Sequence, residues 1–305
     1  MSIVVASINA QTVVDSLGLG ATYALMAVGI GLVFGVLRLV NFAYGQLIMA
    51  GAYTLAYTST WPLAASIAAC FAVVIALSLL MERVVFRPLR TQSPAVMLVT
   101  TFAVAFLLQN VALLVDINHN NTIGEPVAAL APLNQAIKVG GADVRKVTIV
   151  AIVVAAVALT ALALLLGKTS IGLRMRAAAM DFGTARLLGV KANQVISFAV
   201  LLSAILAATV AILLTVQSPL VTPDFALKET IVVLVGVVVG GLGKLWTATL
   251  GGFAIGFVSG MINGVLPTDK TVFLPSFVFA LVIVVLLVRP AGLFVRKGAA
   301  VVDRT

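Results

Sequence analysis

The stretch VVVGGLGKLW offers the first candidate for chemistry. It contains Gly243-Lys244, the pair that closes a phosphate-binding GxxxxGK motif when Ser or Thr follows. Here Val238 stands at the first glycine position, and Leu245 has no hydroxyl to offer magnesium. The match fails at both ends, so any ATP that drives this protein is bound by another chain. The single histidine, His119, and the single cysteine, Cys70, provide no metal-ligand cluster, no Ser–His pair and no internal disulfide. The long apolar runs carry no Asp, Glu, Lys, Arg or His in their interiors, and Glu82 and Glu229 fall at run ends. A charge at mid-bilayer costs about 2.5–3.5 kcal/mol, a cost that proton-driven carriers accept for a relay. With no relay and no nucleophile, the expected protein is neither an enzyme nor a proton pump, and it needs no cofactor or metal.

What remains is uncharged or peripheral. In LRLVNFAYGQLIMAGAY, Asn41, Tyr44 and Gln46 fall where one apolar run ends and a short one begins. Hydrogen-bonding groups at a helix break can line a route for a polar solute, or they can stabilise an interfacial turn. In GFAIGFVSGMING, Gly252, Gly256, Gly260 and Gly264 recur every four residues, which places them on one helix face. Missing side chains there let a neighbouring helix approach closely, so packing is the expected role. The segment IGLRMRAAAMDFGTARLLGVK, Ile171 to Lys191, is too polar to cross a membrane. As a helix it would gather Met175, Ala178, Ala179, Phe182, Ala185 and Gly189 within one broad face, with Arg176 and Asp181 pointing elsewhere. Such a face suits lipid headgroups or a groove on a partner.

The elements that hold these residues are set by the solvent. The chain of 305 residues is 62% hydrophobic and 10% charged, with mean hydropathy +1.21. Soluble domains run near about 45–50% apolar and about 25% charged, so this is an all-α polytopic membrane protein. Nine apolar segments are readable, about 16–37, 43–58, 62–81, 94–115, 147–166, 194–216, 229–243, 247–266 and 273–288. The second, seventh and ninth are short, which gives a bundle of about 8–10 crossings in one domain, residues 1–305. The first fifteen residues lack the positive start of a cleavable signal. With residues 167–193 inside, 14 of the 19 Lys and Arg lie inside and five outside. The positive-inside rule then sets the N-terminus out and the C-terminus in. Scattered in short loops, these cations serve topology and not nucleic acid. The longest polar outer segment is Asp116 to Lys146.

The sequence resembles, almost end to end, the membrane permease subunits of binding-protein-dependent ABC importers for branched-chain amino acids, the LivH-like group. The matching stretches are GLGLGATYALMAVGIGLVFGVLRLVNFAYGQLIMAGAY, GLRMRAAAMDFGTARLLGV, VLVGVVVGGLGKLWTATLGGFAIGFVSGMINGVL and VRPAGLF. The resemblance implies that residues 171–191 form the segment coupling the permease to an ATPase subunit, with Arg176, Asp181, Phe182, Ala185, Arg186 and Gly189 at the contact. Against the family's Glu-Ala-Ala, three residues, Gly pattern, Ala185 and Gly189 fit, whereas Gly183 and Thr184 depart from it. The resemblance further implies a second related permease, two ABC ATPase subunits and an extracytoplasmic solute-binding protein docking on the outer loops, in a bacterial-type inner membrane. Urea and short-amide importers have similar permeases, and a stand-alone carrier or channel is the reading from another class. On the coupling reading, Gly189→Arg or Phe182→Asp leaves the protein in the membrane but abolishes solute-stimulated ATP hydrolysis.

Overall fold

The computed structural model describes residues 10–288 except 39, 90–91, 121–122, 128–129, 140–141, 181, 242–243 and 267–272. Lipid offers the backbone no partners, so each apolar stretch closes its own hydrogen bonds as helix. Among the described residues, six helical stretches are long and apolar enough to cross a membrane. They are α1 (Ala10–Leu37), α3 (Leu63–Met81) with its continuation to Leu89, α4 (Pro94–Asn120), α5 (Lys146–Lys168), α8 (Ala192–Gln217) and α10 (Leu245–Val265). Three shorter apolar helices accompany them, α2 (Tyr44–Tyr57), α9 (Leu227–Gly240) and α11 (Leu274–Val288). These nine coincide with the nine apolar stretches, and the short ones are the three whose sequence is short. At ~1.5 Å per residue the 14 residues of α2, and the 14 of α9, span about 21 Å. That falls short of the ~30 Å hydrocarbon core, so neither crosses it alone.

Contacts between helices fix the direction of each. The Thr148 hydroxyl at the start of α5 donates to Asp15 at the start of α1, at 3.2 Å. At the other end of α1, the Arg38 guanidinium donates to the Ala179 carbonyl. The start of α1 shares its end of the bundle with four short strands. Antiparallel β1 (Glu125–Pro126) and β4 (Leu220–Val221) pair Glu125 with Val221, and β2 (Ala136–Val139) pairs with β3 (Ala142–Arg145). The opposite, basic end carries Arg38, Arg87, Arg176 and Lys244.

The closest packing is between α1 and α10, and the glycine stripe makes it possible. A Cβ on Gly256 would lie 2.8 Å from the Gly20 Cα, and one on Gly260 would lie 2.6 Å from the Ser16 Cα. Gly252 meets Ala27 and Gly264 meets Thr12, so the stripe runs along α1 one turn at a time. Both helices approach almost backbone to backbone, as close as small residues allow.

Two sequence boundaries move. Helix α4 continues past residue 115 to Asn120, so Asp116 and His119 are helical, and the polar outer segment starts later than Asp116. Residues 171–191 form two helices instead of one, α6 (Ser170–Met180) and α7 (Phe182–Leu187). Asp181 lies between them, outside the described residues.

Candidate translocation and coupling sites

After Arg38 the chain turns back into the bundle and reaches α2 by residue 44. Asn41 makes this turn, its side-chain oxygen accepting the Ala43 N–H at 3.0 Å and its carbonyl the Tyr44 N–H at 3.4 Å. Thr101 on α4 ties the turn down, donating to the Val40 carbonyl at 3.3 Å and accepting from the Phe42 N–H at 3.4 Å. Asn41, Tyr44 and Gln46 are all buried. The Tyr44 hydroxyl faces the notch left by Gly29, whose carbonyl accepts the Ser203 hydroxyl at 2.8 Å. A Cβ on Gly45 would lie 2.6 Å from the Thr230 hydroxyl and 2.9 Å from the Ala226 carbonyl, so the first turns of α2 and α9 touch. At this crossing the Tyr44 hydroxyl, the Gln46 side-chain oxygen and the Thr230 hydroxyl are buried without a hydrogen-bond partner among the described residues. Such groups normally find partners. The arrangement is an uncharged polar centre inside the bundle, and Thr230 is the member that sequence reading missed.

At the basic end, α6 packs against α1, α5 and α8. Met175 and Ala178, with Ala185 of α7, turn inward and are buried. Three residues of the face expected to meet lipid headgroups or a partner therefore turn into the chain itself, while Arg176 is exposed. Outward instead point Met180, Leu187 and Leu188, which are 85%, 89% and 80% exposed. Phe182 and Arg186 lie on α7. Gly189 follows the helix at φ +86°, and the Val190 N–H reaches back to the Ala185 carbonyl at 3.1 Å. That is a glycine closing a helix C-terminus in the left-handed region, with open space around it. Beside α6 runs a groove of about 420 Å³ whose lining includes Gly35, Arg38, Arg176, Lys244 and Trp246. Arg38 enters it from a left-handed backbone, φ 56°. Helix α3 ends in a π-turn, Glu82–Phe86. There buried Glu82 accepts from Arg87 at 2.8 Å, and Arg87 reaches Ser197 at 3.2 Å. This brace joins the end of α3 to the start of α8, directly after the α6–α7 segment.

At the strand-bearing end, Asp116 is fully buried. It accepts from the Tyr53 hydroxyl at 2.6 Å, the Gly124 N–H at 2.9 Å and the Tyr57 hydroxyl at 3.2 Å. One carboxylate thus fastens α2, α4 and the segment leading to β1. Among the described residues, no group of three or more His, Cys, Asp or Glu is placed to hold a metal ion.

Comparison with known proteins agrees with this architecture. Residues 12–288 match the family described as branched-chain amino acid transport system, permease component. The chain is 30% identical over 301 residues to the high-affinity branched-chain amino acid transport system permease protein BraD of Pseudomonas aeruginosa, covering 94% of this chain and 95% of that one. It is 28% identical over 302 residues to the permease proteins LivH of Escherichia coli K12 and of Salmonella typhimurium, with the same coverage. No solved structure matches. A multi-pass inner-membrane protein with six candidate spans among the described residues, matched along nearly its whole length, this chain belongs to the permease-component family of branched-chain amino acid transport systems.

Proposed function

We propose that this chain is the membrane-spanning, non-catalytic subunit of a binding-protein-dependent ABC importer that moves branched-chain amino acids with energy from separate ATPase subunits. The observation that carries the reading is the exposed trio Met180, Leu187 and Leu188 on a basic segment between two spans. Large apolar side chains do not stay 80–89% exposed to water without a partner to cover them. The segment is also tied through Arg38 to α1, and it leads directly into α8, whose start Arg87 joins to α3, so a push on it moves the bundle and not a loose loop. The concentration of Lys and Arg at this end supports a cytoplasmic position. The strand-bearing end, fastened by Asp116, then faces an extracytoplasmic binding protein. A second related permease completes the membrane unit, and two ATPase subunits dock at the basic end.

Reconstitution of the co-purified transporter in proteoliposomes tests this. With loaded binding protein supplied, the wild type takes up leucine and raises its ATP hydrolysis. Leu187→Asp with Leu188→Asp, both on the surface, leaves the protein in the membrane and lowers stimulated ATP hydrolysis at least tenfold. Unchanged stimulation in that variant, or solute flux by this chain alone, overturns the reading.

A further inference from the structure

The two breaks in the bundle are one motif used twice. Asn41-Phe42-Ala43-Tyr44-Gly45-Gln46 opens α2, and Asp224-Phe225-Ala226-Leu227-Lys228-Glu229 opens α9. Their hydrogen bonds fall at equal offsets. Tyr44 N–H to the Asn41 carbonyl (3.4 Å) corresponds to Leu227 N–H to the Asp224 carbonyl (2.9 Å). Leu47 N–H to the Ala43 carbonyl (3.2 Å) corresponds to Thr230 N–H to the Ala226 carbonyl (3.0 Å). Ala43 and Ala226 are both helix N-caps without a side-chain acceptor, and each starts a helix of 14 residues. Neighbours correspond as well: α2 packs on α3, α4 and α8, and α9 packs on α10, α11 and α1. The directions are opposite. Helix α1 runs to the basic end before the chain turns back into α2, whereas α8 runs to the strand-bearing end before the chain turns back into α9. Helices α1–α4 and α8–α11 are therefore inverted copies, an arrangement that places solute sites at the broken helices.

The copies differ in charge at the same positions. Where the first has Asn41, Gly45 and Gln46, the second has Asp224, Lys228 and Glu229. The neutral copy is packed shut, but the charged one lines a cavity of about 280 Å³ beside the strand-bearing end. That is just under the roughly 300 Å³ at which pockets begin to take drug-sized ligands, so it suits a smaller molecule. Leu19, Leu214 and Tyr23 give it an apolar wall. Tyr23 is only 7% exposed and lines the cavity together with Glu229. Lys228 is 4.0 Å from Asp224, a loose exposed pair, and Glu229 has no ion-pair partner among the described residues.

We infer that this cavity is a transit site for a free α-amino acid zwitterion with an apolar side chain. It rests on the importer reading for its route but is separately testable. Glu229 and Asp224 receive the ammonium, while Lys228, on the first turn of α9, receives the carboxylate. Leu19, Leu214 and the Tyr23 ring take the side chain, and the Tyr23 hydroxyl binds the carboxylate edge. The neutral copy offers the next station only hydrogen bonds, so a solute passing from α9 to α2 moves from charged to uncharged recognition, which favours inward release.

The test is equilibrium binding of labelled L-leucine to the purified transporter in lipid nanodiscs, without binding protein. Leucine is expected to bind, and leucinamide (no carboxylate) and 4-methylpentanoate (no ammonium) to bind at least tenfold more weakly. Glu229→Gln and Lys228→Met are each expected to weaken leucine binding at least tenfold. Lys228 is mostly exposed, so its substitution does not threaten folding. No leucine binding by the wild type, or binding unchanged in both variants, overturns the site. Proteoliposome uptake separates the two readings. A wild type that binds leucine in a Glu229-dependent manner but imports none defeats the importer and leaves the site. One that imports leucine while both variants bind as the wild type does defeats the site and leaves the importer.

Discussion

Replacing Asp116 by Asn keeps the shape of the side chain and removes the charge from a carboxylate with three donors around it. Tyr53 and Gly124 donate to one oxygen and Tyr57 to the other. Asn has one acceptor oxygen, so it can serve Tyr53 and Gly124 while its NH2 turns to Tyr57, whose hydroxyl must then accept. Hydrogen bonds to charged groups contribute about 1.5–3 kcal/mol and neutral ones about 0.5–1.5 kcal/mol. The loss is thus about 1 kcal/mol per bond, roughly 2–3 kcal/mol for three bonds made at full burial. Tyr53→Phe removes only the 2.6 Å bond and keeps the ring stacked on Tyr57, with centroids 5.9 Å apart, so it costs about 1.5–3 kcal/mol.

Thermal melting of the purified protein in mild detergent measures this. At about 2 °C per kcal/mol, the low end of the scale suited to a long chain, Asp116→Asn lowers Tm by about 4–6 °C. The double variant is the sharper check. Because Asp116→Asn weakens the bond that Tyr53→Phe removes, its loss falls short of the sum of the single losses by about 1 kcal/mol. Amide exchange at Gly124 and along β1–β4 rises in both single variants, since the carboxylate holds that segment. Additive losses, or a Tm for Asp116→Asn equal to that of the wild type, would show that the cluster is not the fastening described.

Two other substitutions probe the bundle by the same melting assay. Gly256→Ala puts a methyl 2.8 Å from the Gly20 Cα and the Tyr23 Cβ and destabilises by about 1–3 kcal/mol, whereas Gly167→Ala, with open space around it, is expected to match or exceed the wild type. Glu82→Gln leaves the Arg87 guanidinium with a neutral acceptor; as that side chain is 34% exposed, the loss is about 1–2 kcal/mol, and exchange rises at the start of α8, where Ser197 loses its brace.

The sequence exposed the parts of this fold that lipid dictates. A helix that must satisfy its own backbone across a bilayer leaves a long apolar run, and all nine runs could be found. The four-residue glycine spacing was equally plain, because close approach of two helices requires it on one face. Asp116 was not, since a charge at the end of an apolar run reads as a boundary. The helix passes through it because Tyr53, 63 residues earlier in the chain, and Gly124 supply donors that no local window contains. The face of Met175, Ala178 and Ala185 failed for a related reason. An amphipathic pattern says that something covers a face, but not which body does so, and for Met175 and Ala178 the cover is the chain's own α1, α5 and α8.

The inverted pair of breaks lay open in the sequence and was still missed. Only Phe and Ala are identical in register between Asn41–Gln46 and Asp224–Glu229. The other positions differ most in charge and least in shape, where Asn matches Asp and Gln matches Glu. Shape is what the turn needs. Two N-caps without side-chain acceptors and two helices too short to span recur, because an opposite pair of half-helices must meet inside the bilayer to close the bundle. Charge is free to diverge once the two ends of the bundle face different surroundings. On the proposed import route, the charges stand at the end where solute is loaded. There the partial exposure of Asp224 and Lys228 lowers the cost of their charges, whereas full burial at Asn41 and Gln46 would impose the whole cost of desolvation. The same asymmetry that permits charge at one break forbids it at the other.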